Sequence, residues 1–145
     1  MVLFFTYLNW NSKENSMTSS EELKRLTQRF AVEPWGTGNF AAIDELCAPE
    51  YRMGELTADA LKQLIREYRQ AIPDLQIDIS EMIVEGDNVA YRWVMAGTHL
   101  GEYHGVAPTG RTVSATGITM LRYRDGQIVR DVFESGSKSI DEQIS

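Results

Sequence analysis

The chain has 145 residues and a mass of 16.4 kDa, the size of one ordinary domain. Its 21 acidic residues outnumber its 14 basic residues and give a net charge of −7, which argues against nucleic acid or an anionic membrane as the main partner, because both require a basic surface. With one cysteine, Cys47, and two histidines, an intrachain disulfide, a cysteine-based zinc site and a three-histidine metal site are all excluded.

The first twenty residues differ in composition from the rest of the chain. Residues 1–10 are mostly apolar and residues 11–20 are polar. Ten apolar residues are too few to cross a bilayer, and they lack the features of a signal peptide. We expect residues 1–18 to form an N-terminal extension, residues 19–145 to form one domain, and the protein to be cytoplasmic. Alternatively, the extension packs on the domain or on a partner subunit.

Three amphipathic helices are predicted in the first half of the chain. The first has a capping box at Ser19 and Glu22, followed by apolar residues at helical spacing, and is expected to be stopped by Pro34 and the glycine-containing run of residues 36–38. The second lies between Asn39 and Pro49, and the third lies between Thr57 and Pro73. Each helix has one apolar face, which predicts that each packs on another layer.

Four strands are predicted in the second half, where apolar and polar residues alternate. The alternation changes phase after Glu81, which predicts a β-bulge. Tight turns at residues 85–88 and 124–127 predict that consecutive strands pair. The expected fold class is α+β, with three N-terminal helices packed on a strongly curved antiparallel or mixed β-sheet. Such a cone leaves an internal pocket suited to an apolar small-molecule ligand.

Five segments carry a resemblance to a known family: residues 35–39, 73–75, 85–90, 97–111 and 125–129. In these segments the chain resembles the SnoaL-like polyketide cyclases (ester cyclases), within the superfamily of nuclear-transport-factor-like cone folds. The resemblance implies acid–base catalysis without a metal or other cofactor. In that chemistry a pocket carboxylate removes a proton next to a carbonyl, and the enolate closes a ring by aldol addition.

The carboxylate that would act as this base is not fixed by the sequence. At the family's usual acid position this chain has Gly136, and Val132 stands where the family usually has tryptophan. The remaining candidates are Glu134, which shares its strand face with Val132, and Asp131, which shares its face with Phe133. The departure at Gly136 leaves alternatives open: a dehydratase or epoxide hydrolase in the same cavity, or a non-catalytic small-molecule-binding protein.

Four further residues are candidates for the site. His99 ends the second predicted strand, where it either donates a hydrogen bond to a substrate carbonyl or holds the glycine-rich loop of residues 97–110. Trp35, Tyr51 and Trp93 are candidate ligand-binding residues of the pocket wall, with an ordinary core position as the alternative.

The outer face of the predicted sheet also carries apolar side chains, among them Val94, Ile118 and Met120. A sheet that is apolar on both faces needs cover on both, and the helices can cover only one. We therefore expect a homodimer through the outer sheet face, which the family resemblance also suggests.

Overall fold

The computed structural model describes residues 18–145, so all but Thr18 of the predicted extension lies outside the described residues. Within the described part, the elements in chain order are α1 (Ser20–Thr37), α2 (Ala41–Leu46), α3 (Ala58–Ala71), β1 (Gln76–Glu85), β2 (Asn88–Thr98), β3 (Thr112–Arg124), β4 (Gln127–Ser135) and α4 (Ile140–Ile144). The strands form one antiparallel sheet in the order β1-β2-β3-β4. The predicted α+β fold class is confirmed.

Side-chain caps begin two of the helices where the sequence predicts them. The Ser19 hydroxyl accepts a hydrogen bond from the Glu22 N–H at 3.2 Å, and the Thr57 hydroxyl accepts one from the Ala60 N–H at 3.2 Å. Each bond satisfies an N–H that has no partner within its helix. Both predicted helix starts are confirmed.

Of the two predicted stop signals for the first helix, the run of residues 36–38 ends it and Pro34 does not. α1 continues past Pro34 to Thr37 and is capped by Gly38, whose left-handed φ of 75° suits glycine. Proline cannot donate a helical hydrogen bond, but Pro34 is buried in the core, and its apolar contacts offset that loss. The extra turn places Trp35 on the helix, where its side chain lines the cavity described below.

The predicted bulge in β1 is confirmed. Ile79 pairs with Trp93, but the next pair joins Glu81 to Arg92, so Ser80 is the extra residue. A bulge increases the local twist and bends its strand. The bend contributes to the curvature that gives the sheet a concave face.

The core lies between this concave face and the helices α1, α2 and α3. Its largest cluster includes Leu23 and Phe30 of α1, Ile43 of α2, Ile65 of α3 and Leu121 of β3, all at most 5% exposed. Packing at this level fixes the helices on the sheet and positions the side chains around the cavity.

The short helix α4 is not among the predicted elements. Its start has a full capping box: the Ser139 hydroxyl accepts from the Glu142 N–H at 3.2 Å, and the Ser139 N–H donates to a Glu142 carboxylate oxygen at 2.8 Å. Ile140 and Ile144, four residues apart, are buried against a second core cluster. The serine–glutamate spacing and the isoleucine pair are the sequence signal for this helix.

The outer face of the sheet exposes large apolar side chains. The most exposed are Ile83, Ile118, Met120 and Val132, on strands β1, β3 and β4. Between residues 18 and 145, no helix is long and apolar enough to cross a lipid bilayer.

Candidate active site

A cavity of about 310 Å³ lies between the concave sheet face and the helices. Its walls are mostly apolar: Trp35 comes from α1, Leu61 from α3, and Trp93 and Met95 from β2. Two of the candidate ligand-binding residues, Trp35 and Trp93, thus line the cavity. Large aromatic and aliphatic walls with few polar groups suit a mostly apolar ligand.

Asp131 is the only carboxylate among the described residues that line this cavity, and its side chain is 4% exposed. Its backbone N–H donates to the Arg52 carbonyl at 3.0 Å, which ties β4 to the segment that follows α2. Burial raises the pKa of Asp131 from its ordinary value of 3.8 to about 6. A carboxyl group with this pKa can both accept and return a proton near neutral pH.

Tyr51 lies behind Asp131, outside the cavity lining, and holds the carboxylate in place. Its phenol donates a hydrogen bond to Asp131 Oδ2 at 2.7 Å, and both residues are buried. Burial, followed by the charge of Asp131, raises the pKa of Tyr51 far above its ordinary value, so the phenol remains a donor. Asp131 Oδ1 is buried and has no hydrogen-bond partner within residues 18–145, so its polar character is not satisfied by the residues around it.

A second polar pair lies on the same face of the sheet. The Trp93 indole N–H donates to the Thr119 hydroxyl oxygen at 3.0 Å, and both residues line the cavity. Because the Thr119 oxygen accepts here, its own O–H can donate either to the Tyr91 phenol, which lies within its reach, or to a substrate oxygen. Thr119 is not among the residues predicted for the site, although a polar residue among the inward positions of β3 is a signal for it.

Gly117 leaves the space that Trp93 occupies. The two residues are paired across β2 and β3, and a Cβ added to Gly117 would overlap the Trp93 ring and lie 2.6 Å from the Glu134 carbonyl oxygen. The indole can therefore lie flat over the glycine while its N–H reaches Thr119.

Of the two candidate acids in β4, the structure brings only Asp131 into the cavity. Phe133 lines the cavity, so the alternating residues Val132 and Glu134 point to the outer face, where both are exposed. The alternative in which Glu134 faces the pocket is therefore wrong, because Phe133 takes the inward position on this strand.

His99 is also not among the residues that line the cavity. It is fully buried, and its Nδ1 accepts from the Thr109 N–H at 3.2 Å and lies 2.9 Å from the Thr109 hydroxyl. These bonds hold the loop between β2 and β3. His99 therefore takes the second of its two predicted roles, and it does not face a substrate carbonyl in the cavity.

Comparison with known proteins agrees with this architecture. The model of the SnoaL-like polyketide cyclase family matches residues 25–133. The chain belongs to this family. It is 31% identical over 111 residues to aklanonic acid methyl ester cyclase AcmA from Streptomyces galilaeus, and the match covers 69% of this chain and 75% of that relative.

Solved structures also share the SnoaL-like fold. AclR from Streptomyces galilaeus, a candidate hydroxylase, is 28% identical with a TM-score of 0.72, and the match covers 81% of this chain and 80% of AclR. TsrD from Streptomyces laurentii has a TM-score of 0.77 over 88% of this chain and 98% of TsrD; at 22% identity it shows the fold alone. Membership in the SnoaL-like family supports a cyclase or isomerase type of function.

Proposed function

We propose that this SnoaL-like protein is a cofactor-free acid–base enzyme that closes a ring by aldol addition, or isomerises, an apolar small molecule bearing ketones. The observation that carries the proposal is Asp131: a buried carboxylate in an apolar cavity, with one oxygen bound by Tyr51 and the other without a hydrogen-bond partner among residues 18–145. Burying a carboxylate costs free energy, and a buried acid with a raised pKa in a cavity is typical of groups that transfer protons.

The reaction is proposed as two proton transfers around one bond formation. Asp131 Oδ1 takes a proton from the carbon next to a ketone, and the electron pair of that C–H bond forms the enolate. Thr119 donates a hydrogen bond to the enolate oxygen. The enolate carbon attacks a second carbonyl, forming a C–C bond, and the resulting alkoxide recovers the proton from Asp131. No atom is gained or lost, so the product is an isomer of the substrate.

Filling the cavity is expected to abolish this chemistry. The assay follows exchange of the α-hydrogens of β-tetralone for solvent deuterium, using protein dialysed against EDTA. Ala115 lines the cavity, and Ala115→Phe should lower the exchange rate by about 10²-fold because it displaces the ketone.

The matched control is Ala96→Phe, since Ala96 is exposed on the outer face of the neighbouring strand. This variant should exchange at the wild-type rate. Equal rates for the two variants, or wild-type exchange that requires an added metal ion, would contradict the proposal.

We also propose that the protein is a homodimer through the outer sheet face. The exposed apolar side chains there are accompanied by exposed charges of both signs, including Arg92 and Glu81. A face with both signs of charge can pair with a second copy of itself about a two-fold axis.

Sedimentation equilibrium at micromolar concentration is expected to give about twice the chain mass of 16.4 kDa. Met120→Glu should give the single-chain mass, because it places a charge in the centre of the face. Gln63→Glu on α3 should remain a dimer. A wild-type protein that sediments as a single chain would exclude this interface.

For the compartment, we propose the cytoplasm. Cys47 is the only cysteine of the chain, and it is buried and unpaired. A fold that relies on no disulfide suits a reducing compartment.

A further inference from the structure

The cavity carries charges of opposite sign at its two ends. Among the described residues that line it, Asp131 is the only carboxylate and Lys138 is the only cation. Asp131 is buried, whereas Lys138 is exposed. From Asp131 to Ser135 the strand β4 advances about 13 Å, and Lys138 lies beyond the end of that strand. The two residues therefore belong to well-separated parts of the cavity wall, one buried and one exposed.

The backbone around Lys138 is fixed to the sheet by side chains. The Thr116 N–H donates to the Ser137 hydroxyl at 2.6 Å. The Gln143 amide accepts from the Ser114 N–H at 2.9 Å and donates to the Ser114 carbonyl at 2.8 Å, as a neighbouring strand would. The same amide donates to the Lys138 carbonyl at 2.9 Å. Lys138 is thus held at the mouth of the cavity.

The Lys138 ammonium makes no hydrogen bond or ion pair with another residue in the 18–145 range. The acidic neighbours on α4 are bound elsewhere. Asp141 lies 2.9 Å from His104 Nδ1, and Glu142 is bound by Ser139, whose hydrogen bonds lower the pKa of Glu142 more than the nearby charge of Lys138 does. A cation at a cavity mouth, with three serines of the cavity lining close to it in the chain and no direct ion pair among residues 18–145, is suited to an anionic oxygen group of a ligand.

We propose that Lys138 binds a carboxylate or ionised phenol at one end of the substrate, and that this contact sets which end of the molecule enters first. The inference rests on the proposed function, which places the reacting ketone at Asp131. The negative charge of Asp131 repels an anionic group from the deep end, so both charges favour the same orientation. The substrate class is then a fused-ring ketone with an anionic group opposite the reacting carbonyl.

Lys138 also lies outside the part of the chain matched by the family model, which ends at residue 133. The groups of the deep end, Asp131 and Thr119, fall within the match. The mouth is therefore the part of the cavity in which this chain can differ in substrate preference from its relatives.

The test is the binding of anthracene carboxylate and its neutral carboxamide, measured by quenching of tryptophan fluorescence, since Trp35 and Trp93 line the cavity. Wild-type protein should bind the carboxylate about fivefold more tightly than the carboxamide. Lys138→Met should remove this preference without changing the Kd of the carboxamide, and Lys138→Arg should retain it. Lys24→Met, on the exposed face of α1, is the matched control and should behave as wild type.

A wild-type protein that binds both compounds equally or binds neither, or a Lys138→Met variant that keeps the preference, would overturn the proposal. The assay involves no chemistry at Asp131, so failure of the proposed reaction would leave the binding ratio intact. Conversely, loss of the binding preference would leave deuterium exchange of the uncharged β-tetralone unaffected. The two proposals can therefore fail separately.

Discussion

Asp131→Asn is expected to lower the rate of α-hydrogen exchange at pH 7.5 by about 10²- to 10⁴-fold, the usual contribution of a positioned general base. The amide has nearly the shape of the carboxylate, and its oxygen can still accept the hydrogen bond that Tyr51 donates to Asp131. What it lacks is the ability to take a proton. The loss should therefore appear in kcat more than in KM.

The pH dependence identifies the group that is lost. In the wild type, the exchange rate should rise with pH, reach half its maximum near pH 6 and level off about one pH unit higher, because only ionised Asp131 acts as a base. The residual rate of Asp131→Asn should not follow this curve. Glu134→Gln makes the same chemical change on the outer face of the same strand and should alter neither rate nor profile. Should Asp131→Asn retain the wild-type rate, another group must take the proton.

The sequence predicts most of the fold because the signals involved are local. The caps at Ser19 and Thr57, the alternation of the strands and the change of phase near Ser80 each concern residues close together in the chain. Each pattern corresponds to one hydrogen bond or one direction of side chains. The structure confirms them because tertiary packing agrees with these local preferences.

Pro34 shows where local reasoning fails. The loss of a helical hydrogen bond at proline is a local cost, whereas its compensation depends on burial against distant residues. A rule based on neighbours in sequence contains only the cost and counts Pro34 as a stop, whereas the helix ends one turn later, at the predicted run of residues 36–38. The helix α4 is the opposite case: it was not predicted, although its capping box is a local signal that the sequence contains.

The site is less predictable because its parts are distant in the chain. Alternation shows that Asp131 and Glu134 point to opposite faces, but not which face is covered by helices. The hydrogen bond between Tyr51 and Asp131 joins residues 80 positions apart. No spacing rule links such residues, and only the docking of the segment after α2 on β4 brings them together.

Burial of Asp131 should also make the protein less stable as the pH rises. Since the pKa of Asp131 is higher in the folded protein than in the unfolded chain, the folded state binds more protons between about pH 4 and pH 6. The free energy of unfolding therefore decreases as the pH rises through this range. A rise of the pKa from 3.8 to about 6 corresponds to a loss of about 3 kcal/mol of stability when Asp131 ionises. This loss is complete above pH 6 and absent below pH 4.

Asp131→Asn should remove this dependence, because an amide does not titrate. The free energy of unfolding is measured by urea denaturation at pH 4 and at pH 7.5. Between these two pH values, we expect the wild type to lose about 3 kcal/mol of stability relative to the variant. Comparing each protein with itself at two pH values cancels constant differences in packing. Glu134→Gln is exposed and should leave the wild-type dependence in place. A parallel pH dependence in Asp131→Asn and wild type would show that Asp131 is not held in a costly charged state. The proposed base would then lack the driving force that brings its pKa toward neutrality.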